Sequence, residues 1–229
     1  MSFQIAIDGP VAAGKSTVSK QVADRLGFLY VDTGAMYRMV ALLAYRQRID
    51  YHYQLKIVEL IRSAEMQMRP PIEAEKDGRL STIILNGEDV SWLIRTEEIS
   101  YGASEIAKLP KVRAILVDKQ QLIVNRQSVV MEGRDITTKV LPRANLKIYL
   151  TADEPTRAER RHQQLLSRGE DISLEEVTHQ LIIRDREDSH RLADPLQITD
   201  GVWVVDTSHL TIDEVVDAVE KKVKSMITS

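Results

Sequence analysis

The 229-residue sequence contains no cysteine, which excludes disulfide bonds and thiolate metal sites. No apolar run approaches the ~18 residues that a membrane-spanning helix needs. The first residues, Met1–Gln4, lack the charged and apolar regions of a signal peptide. We therefore expect a cytoplasmic protein with no membrane partner.

Positive charge is not in excess, because the formal net charge is −3. Aromatic residues make up only 5% of the chain and do not interleave with basic ones. A nucleic-acid-binding surface normally shows both features, so we expect no nucleic acid partner. Hydrophobic content of 43% and charged content of 28% are typical of a globular protein.

One segment near the start carries a specific chemical signal. A run of apolar residues, Phe3–Ile7, predicts a strand, and apolar spacing over Lys15–Leu26 predicts a helix. Between them lies a match to the Gly-x-x-x-x-Gly-Lys-Ser/Thr phosphate-binding loop, which comprises Gly9, Pro10, Val11, Ala12, Ala13, Gly14, Lys15, Ser16 and Thr17. A glycine-rich turn without function is the alternative, but the strand before it and the helix after it favour an anion site. The sequence thus predicts binding of a nucleoside triphosphate, with Lys15 at the terminal phosphates and the Ser16 hydroxyl on a magnesium ion.

Short apolar runs alternate with helical patterns along most of the remaining chain. Further strands are predicted at 29–31, 128–131, 146–150 and 202–205, and helices at about 35–46, 54–66, Pro110 to Asn125, 154–166, 174–191 and 212–226. A hairpin with an Asn86-Gly87 turn is predicted between 81 and 90. The pattern indicates an α/β fold, with five parallel strands and helices on both faces of the sheet.

Arginine is distributed unevenly. There is no lysine between Ile148 and Glu220, but there are seven arginines. Arg157, Arg160 and Arg161 share one side of a predicted helix and point towards a common volume, and Arg184, Asp188 and Arg191 share one side of the next. Guanidinium groups bind phosphate oxygens bidentately, which favours a phosphate site; a solvated face with local Glu and Asp pairs is the alternative.

Two polar clusters follow predicted strands. Asp32–Arg38 opens a helix, so Asp32 or Thr33 could be simply its N-cap. Glu132–Asp135 follows the 128–131 strand and includes a glycine. In open α/β sheets ligands bind beyond the carboxyl ends of the strands, so these clusters are candidates for a second substrate.

These motifs together resemble the bacterial cytidylate kinases. The resemblance rests on Gly-Pro-x-Ala-Ala-Gly-Lys-Ser-Thr, Asp-Thr-Gly-Ala-Met-Tyr-Arg, Glu-Gly-Arg-Asp and Arg-Asp-Arg-Glu-Asp-Ser-His-Arg, in that order over nearly the whole chain. It implies a P-loop kinase fold and transfer of the γ-phosphoryl group of ATP to CMP or dCMP, with magnesium. One departure is Ala12, where many relatives have glycine.

The resemblance also implies roles for individual residues. ATP would be held by Gly9 through Thr17. The acceptor phosphate would be surrounded by Tyr37, Arg38, Arg134 and Arg191, with Thr33 keeping a hydroxyl where the family often has serine. The cytosine ring would face Ser104, Arg113 and Asp135, and the sugar would face Arg184 and Asp188. The catalytic set would be Lys15, Arg134, Arg157, Arg160, Arg161 and Arg191.

The same resemblance implies a domain organisation. Residues 1–229 would form a single P-loop kinase unit, with a core at about 1–66, 106–155 and 185–229, a monophosphate-binding insertion at about 67–105 and a mobile lid at about 156–184. The lid would carry Arg157, Arg160 and Arg161. No heptad pattern indicates a coiled coil, and the family likeness favours a monomer.

Two other functions stay open at this point. One is a small P-loop kinase acting on another nucleotide, on shikimate or on a cofactor precursor. The other is a regulatory module that holds ATP without rapid transfer and uses its arginines to contact a polyanionic partner. A switch GTPase is disfavoured, because the sequence contains no Asn-Lys-x-Asp guanine-reading motif.

Overall fold

The structure is a computed structural model that describes residues 2–124 and 127–227. The chain forms two compact units, one from residues 1–29 and 128–229 and one from residues 30–127. The described strands are β1 (Gln4–Asp8), β2 (Leu29–Asp32), β3 (Met66–Arg69), β4 (Thr82–Leu85), β5 (Glu88–Asp89), β6 (Val129–Gly133), β7 (Leu146–Thr151) and β8 (Trp203–Asp206). The described α-helices are α1 (Lys15–Leu26), α2 (Thr33–Arg46), α3 (Gln54–Ser63), α4 (Glu97–Ile106), α5 (Pro110–Val124), α6 (Glu154–Leu166), α7 (Leu174–His190) and α8 (Ile212–Ile227).

The main sheet has five strands in the order β2-β6-β1-β7-β8. Central strand β1 pairs in parallel with β6, where Asp8 lies opposite Gly133, and with β7, where Asp8 lies opposite Tyr149. Strand β8 extends the sheet in parallel beyond β7. The predicted five-stranded parallel sheet is therefore confirmed, and the segments after β1, β6, β7 and β8 meet at one edge of it.

Helices of the first unit cover this sheet. In α8 the buried residues Val215, Val219 and Val223 recur at four-residue spacing and form one apolar face, and α8 packs against α1. Helix α1 ends at Gly27, whose φ of 67° is the left-handed conformation that glycine adopts without steric cost. Helices α6 and α7 pack against each other.

The second unit has its own core and a small antiparallel sheet, β3-β4-β5. The β4–β5 hairpin turns at Asn86 and Gly87, which both have positive φ (51° and 83°), as the predicted tight turn requires. Its core includes Ile57, Ile83 and Ile106, each fully buried. The predicted hairpin is confirmed.

Two sequence predictions differ from the structure in this unit. Helix α3 ends at Ser63, earlier than Met66, because Met66–Arg69 instead pairs with β4 as strand β3. Helix α4 was not expected at all. The predicted end of α5 at Asn125 lies outside the described residues.

Among the described residues, no helix is both long enough and apolar enough to cross a membrane.

Candidate active site

The loop between β1 and α1 has the backbone of an anion-binding turn. Gly14 caps α1 with a φ of 85°, and Ala12 also has a positive φ, of 58°. Gly9 packs against β7 so closely that a Cβ atom built on it would lie 2.0 Å from the Leu150 carbonyl oxygen. Only glycine fits there, and the start of the loop is thereby fixed to the sheet. Ala12 adopts this left-handed conformation at a steric cost that glycine does not have, so the loop keeps its backbone shape although glycine is replaced by alanine.

Lys15 is the first residue of α1 and is buried, with 6% exposure. Its Nζ donates a hydrogen bond to the Pro10 carbonyl oxygen at 2.6 Å. Burial, reinforced by the nearby charge of Arg134, lowers the pKa of Lys15 to about 7, although Glu132 and Asp188 oppose the change. The ammonium group of the glycine loop therefore lies among charges from the Glu132–Asp135 turn and from α7.

The turn after β6 places Arg134 against α7. Its Nε donates to the Asp188 carboxylate at 2.8 Å, and its Nη1 donates to the Gly133 carbonyl oxygen at 3.2 Å. Burial alone would lower the pKa of Arg134, but the Asp188 charge raises it above the ordinary value. Burial opposes ionisation of Asp188 in turn, but the charges of Arg134 and Arg184 hold its pKa below the ordinary value. Arg134, Arg184 and Asp188, which the sequence placed on two separate segments, thus interact in the structure.

Asp135 and Arg191 are also close to each other. The Arg191 Nη2 lies 3.9 Å from Asp135 Oδ1, and both side chains are buried. Arg191 follows the last residue of α7 and donates through Nε and Nη2 to the Asp194 carbonyl oxygen, at 2.8 and 2.5 Å. The α7 end and the β6 turn therefore present two guanidinium groups, those of Arg134 and Arg191, with one carboxylate beside each.

The three arginines of α6 bond to different partners. Arg157 is buried; it donates to Asp185 of α7 at 2.5 Å, to the Ala152 carbonyl oxygen at 3.0 Å and to the Val11 carbonyl oxygen of the glycine loop at 3.4 Å. Arg160 donates to the hydroxyl and carbonyl oxygens of Thr207, at 2.9 and 2.7 Å.

Arg161 donates instead to Gln164 Oε1 at 2.6 Å, on its own helix. The hydroxyl of Thr207, the partner of Arg160, lies within hydrogen-bond distance of two carbonyl oxygens, that of Thr151 at 3.0 Å and that of Ala13 in the glycine loop at 3.4 Å. Arg157 and Arg160 therefore both connect to the glycine loop, whereas Arg161 has a separate partner. The common volume predicted from their spacing is therefore supported by contacts of Arg157 and Arg160 and stays a prediction for Arg161.

In the second unit, Asp32 joins the end of β2 to α2. Its Oδ1 accepts from the Ala35 N–H at 3.1 Å, and its Oδ2 accepts from Arg38 at 2.5 Å. Burial opposes ionisation of Asp32, but the charges of Arg38 and Arg95 hold its pKa below the ordinary value. Asp32 is therefore the N-cap, while Thr33 is the buried first residue of the helix.

Tyr37 and Arg113 lie together in the same unit. The Arg113 guanidinium carbon is 5.8 Å from the centroid of the Tyr37 ring, a cation–π distance. Arg113 is 2% exposed and donates to the Ala107 carbonyl oxygen at 3.2 Å. Ser104, on α4, donates to the Ser100 carbonyl oxygen at 3.3 Å.

Further residues interact with these groups, although the sequence analysis gave none of them an individual role. Glu132, next to last in β6, is 3% exposed, and its charge acts on both Lys15 and Arg134. The pKa of Tyr149 in β7 is raised, mainly by burial and by the Asp185 charge. Asp8 accepts three hydrogen bonds from residues 136 and 137, and burial raises its pKa against the effect of those bonds. Glu132 and Asp185 both lie within motifs quoted above, but the role of Asp185 depends on its bond to Arg157, which no local pattern specifies.

Comparison with known proteins identifies the family of the chain. The family model described as cytidylate kinase matches residues 5–225. A protein named cytidylate kinase from Caldanaerobacter subterraneus subsp. tengcongensis is 43% identical over 224 residues, which cover 98% of this chain and 96% of that relative. One with the same name from Solibacter usitatus is 45% identical over 228 residues, covering 98% and 94%.

Among solved structures, an uncharacterized protein from Eubacterium ventriosum is similar in fold, with a TM-score of 0.53 at 11% identity over 98% of this chain and 99% of that one. At that identity the likeness concerns the fold alone. The sequence matches, by contrast, extend over nearly the whole chain. The chain belongs to the cytidylate kinase family, a family of phosphotransferases.

Proposed function

We propose that this protein transfers the γ-phosphoryl group of ATP to CMP or dCMP, giving ADP and CDP or dCDP. The observation that carries the proposal is the position of Lys15, the cation of the glycine loop. It lies close enough to Arg134, Glu132 and Asp188 for their charges to act on its pKa. The glycine loop and the arginine-containing turn of the proposed acceptor site are thus neighbours within the first unit, which supports a phosphoryl transfer between two nucleotides.

The donor side is the glycine loop. Backbone N–H groups of Gly9–Thr17 and the α1 N-terminus bind the ATP phosphates, and Lys15 contacts the terminal ones. The Lys15–Pro10 hydrogen bond holds the ammonium group in the loop before nucleotide binds. Negative charge arriving beside Lys15 then stabilises its protonated form.

Magnesium fits this donor site. Within the described residues, no group of three or more His, Cys, Asp or Glu side chains could hold a metal ion. The hard oxygen ligand available in the loop is the Ser16 hydroxyl, and magnesium commonly combines one or two protein oxygens with phosphate oxygens and water. When bound, it neutralises charge on the transferred group.

The acceptor side uses arginine and tyrosine. Arg134 and Arg191 bind the acceptor phosphate, and Tyr37, Arg38 and the Thr33 hydroxyl contribute to the same task. A phosphate monoester has a second pKa of about 6, so the attacking oxygen is already mostly ionised at neutral pH. Because no proton needs to be removed, catalysis consists of positioning and charge neutralisation, for which fixed guanidinium groups are suited.

Three side chains are proposed to recognise the cytosine ring: Ser104, Arg113 and Asp135. Cytosine presents an exocyclic amino donor and two acceptors, so a carboxylate such as Asp135 can accept from the amino group while Arg113 donates to the other edge. Arg184 and Asp188 are proposed to contact the sugar hydroxyls. Arg157, Arg160 and Arg161 are proposed to belong to a lid that excludes water, which would otherwise compete as acceptor.

The test of the function is an acceptor panel. Purified protein with ATP and magnesium is given CMP, dCMP, UMP, AMP or shikimate, and ADP formation is followed. We expect CMP and dCMP to be the best acceptors, UMP weaker, and AMP and shikimate negligible. Preference for AMP or shikimate would indicate another small P-loop kinase, and slow turnover indifferent to CMP would indicate a regulatory ATP-binding module. A monomeric state and a cytoplasmic location remain predictions.

The cytosine assignment has a separate test. Replacing Arg113 by Ala should lower the ratio of kcat/KM for CMP over UMP by about tenfold or more, as loss of one base-edge contact implies. The measured quantity is this ratio, because the substitution also removes the contact of Arg113 with Tyr37, and loss of that contact alone would lower stability without altering base preference. Lys119→Ala on the same helix serves as the control, and an Arg113→Ala variant with an unchanged ratio would contradict the assignment.

A further inference from the structure

Asp8 is the last residue of β1 and the residue just before the glycine loop. Its side chain is fully buried. Oδ1 accepts a hydrogen bond from the Ile136 N–H at 2.8 Å, and Oδ2 accepts from the N–H and the hydroxyl of Thr137, at 2.7 and 2.6 Å. A carboxylate that accepts three well-formed bonds from two consecutive residues fixes the position of that backbone.

The backbone so fixed is the one that follows Arg134 and Asp135. Ile136 begins a short π-helix, 136–140, and the Asp135 carbonyl oxygen accepts from the N–H groups of Lys139 and Val140, at 2.8 and 3.2 Å. The turn carrying the two proposed acceptor-site residues is thus held on one side by β6 and on the other by a helix whose first N–H groups bond to Asp8.

Asp8 also adjoins the start of the donor loop. Gly9, next to Asp8, packs directly against the Leu150 carbonyl oxygen of β7. Asp8 therefore joins the first residue of the glycine loop to the Gly133–Thr137 segment through side-chain bonds in addition to the β1–β6 pairing. The Asp8–Thr137 bonds connect two loops that follow neighbouring strands, although these two residues are 129 positions apart in the chain.

We propose that Asp8 is a positioning residue, which sets the placement of Arg134 and Asp135 relative to the phosphate-binding loop. It does not contact nucleotide itself. The proposal rests on the acceptor roles proposed above for Arg134 and Asp135. Its consequence is that weakening the Asp8 bonds should impair use of the acceptor more than use of ATP.

The first variant is Thr137→Val, which removes one of the three donors, keeps the carboxylate and its charge, and preserves the shape of the side chain. We expect kcat/KM for CMP to fall about tenfold, because misplacing a catalytic group by an ångström or less can cost up to about 100-fold. The KM for ATP should change less than about threefold. Thr137→Ser, which restores the hydroxyl, should recover most of the wild-type value.

The second variant is Asp8→Asn, whose amide nitrogen is a donor and so opposes at least one of the donors at residues 136 and 137. We expect a larger loss of kcat/KM for CMP, about 100-fold, and a lower CMP-to-UMP ratio because Asp135 is displaced. The matched control is Val219→Ala in α8, a fully buried position far along the chain from these loops. It should lower thermal stability and leave the kinetic constants and the base ratio at wild-type values.

A purely structural role would make the Asp8 and Thr137 variants behave like Val219→Ala, with lower melting temperature and unchanged KM for CMP and base ratio. That result would overturn the proposal. If the wild-type protein proved to phosphorylate another acceptor, the proposed function would be wrong. The same variants measured with that acceptor would then still show whether acceptor use falls while the KM for ATP stays constant.

Discussion

At the scale of single residues, the charge on Lys15 is controlled by the groups around it. A free lysine side chain has a pKa of 10.5, and in this protein burial and the Arg134 charge lower it to about 7. The unfolded chain therefore binds a proton between about pH 7 and 10.5 that the folded protein releases. Because the unfolded chain binds more protons in this range, the contribution of Lys15 to the free energy of unfolding increases as the pH rises.

ATP binding should reverse that shift. The triphosphate stabilises the protonated form of Lys15, so binding takes up a proton wherever the free protein has lost it. We expect the Kd for ATP, at fixed magnesium, to rise at least about tenfold between pH 7 and pH 9. Isothermal titration calorimetry with a non-hydrolysable ATP analogue measures it, and heats in two buffers of different ionisation enthalpy count the protons.

Lys15→Arg is the control for the pH dependence, since a guanidinium group stays charged over the whole range. Its Kd should be nearly independent of pH, whatever its value at pH 7. A wild-type Kd that is equally independent of pH would show that Lys15 is fully protonated in the free protein.

Candidate residues could be named from the sequence where the chemistry is local. The glycine loop makes Lys15 and Ser16 candidates, because a turn and a helix start need particular residues at fixed spacing. Asp8 was not identified, because its partners lie 128 and 129 residues away and a single buried carboxylate leaves no pattern in the sequence. Arg157 was identified as a candidate, but its bond to Asp185 depends on how two helices pack.

At the scale of secondary-structure elements, the β2–α2 junction depends on Asp32. This carboxylate both caps α2 and pairs with Arg38, and it is buried with 7% exposure. Removing one partner of a buried ion pair typically costs about 3–5 kcal/mol, more than loss of a cap alone, at about 1 kcal/mol.

We therefore expect Asp32→Ala to lower the free energy of unfolding by about 3 kcal/mol and Asp32→Asn, which keeps the capping oxygen, by less. Urea unfolding of the second unit can be followed by Trp92 fluorescence, with Trp203 replaced by Phe, and that of the first unit by Trp203 fluorescence, with Trp92 replaced by Phe. The control is Asp153→Ala, which removes an exposed N-cap of α6 and should cost about 1 kcal/mol.

The Asp32 effect should also depend on pH. Its folded pKa is below the ordinary 3.8, so its stabilisation is present above about pH 4 and is lost as pH falls through the folded value. The difference between wild type and Asp32→Ala should shrink on acidification towards pH 3. Equal losses for Asp32→Ala and Asp153→Ala at neutral pH would contradict the importance of the ion pair.

Elements with strong local signals were predicted well. Helix α6 has the predicted bounds because Asp153 caps it and Pro155 lies in its first turn. Helix α4 was missed although Ile99, Ala103 and Ile106 recur at helical spacing after the Thr96 cap, because the segment is short and follows a hairpin. The predicted helix at 54–66 includes Met66, the first residue of β3, and no strand is predicted at 66–69, since these four residues become a strand only through pairing with β4.

At the scale of the whole molecule, the α/β class and the five strands followed from the alternation of apolar runs. That alternation extends over the full chain, so it predicts the fold class correctly even where the bounds of a single element are wrong. The strand order, with β6 inserted between β2 and β1, was not predicted. It follows from long-range pairing, and the same pairing brings the Glu132–Asp135 turn beside the glycine loop.

The central claim is that the protein transfers a phosphoryl group from a triphosphate bound at the glycine loop to a pyrimidine monophosphate. The most direct measurement supplies ATP labelled in the γ-phosphate, magnesium and CMP, and determines where the label goes. We predict one labelled CDP for each ADP formed, and no ADP above a slow background when CMP is omitted. Label recovered as inorganic phosphate at a rate independent of CMP would contradict the account.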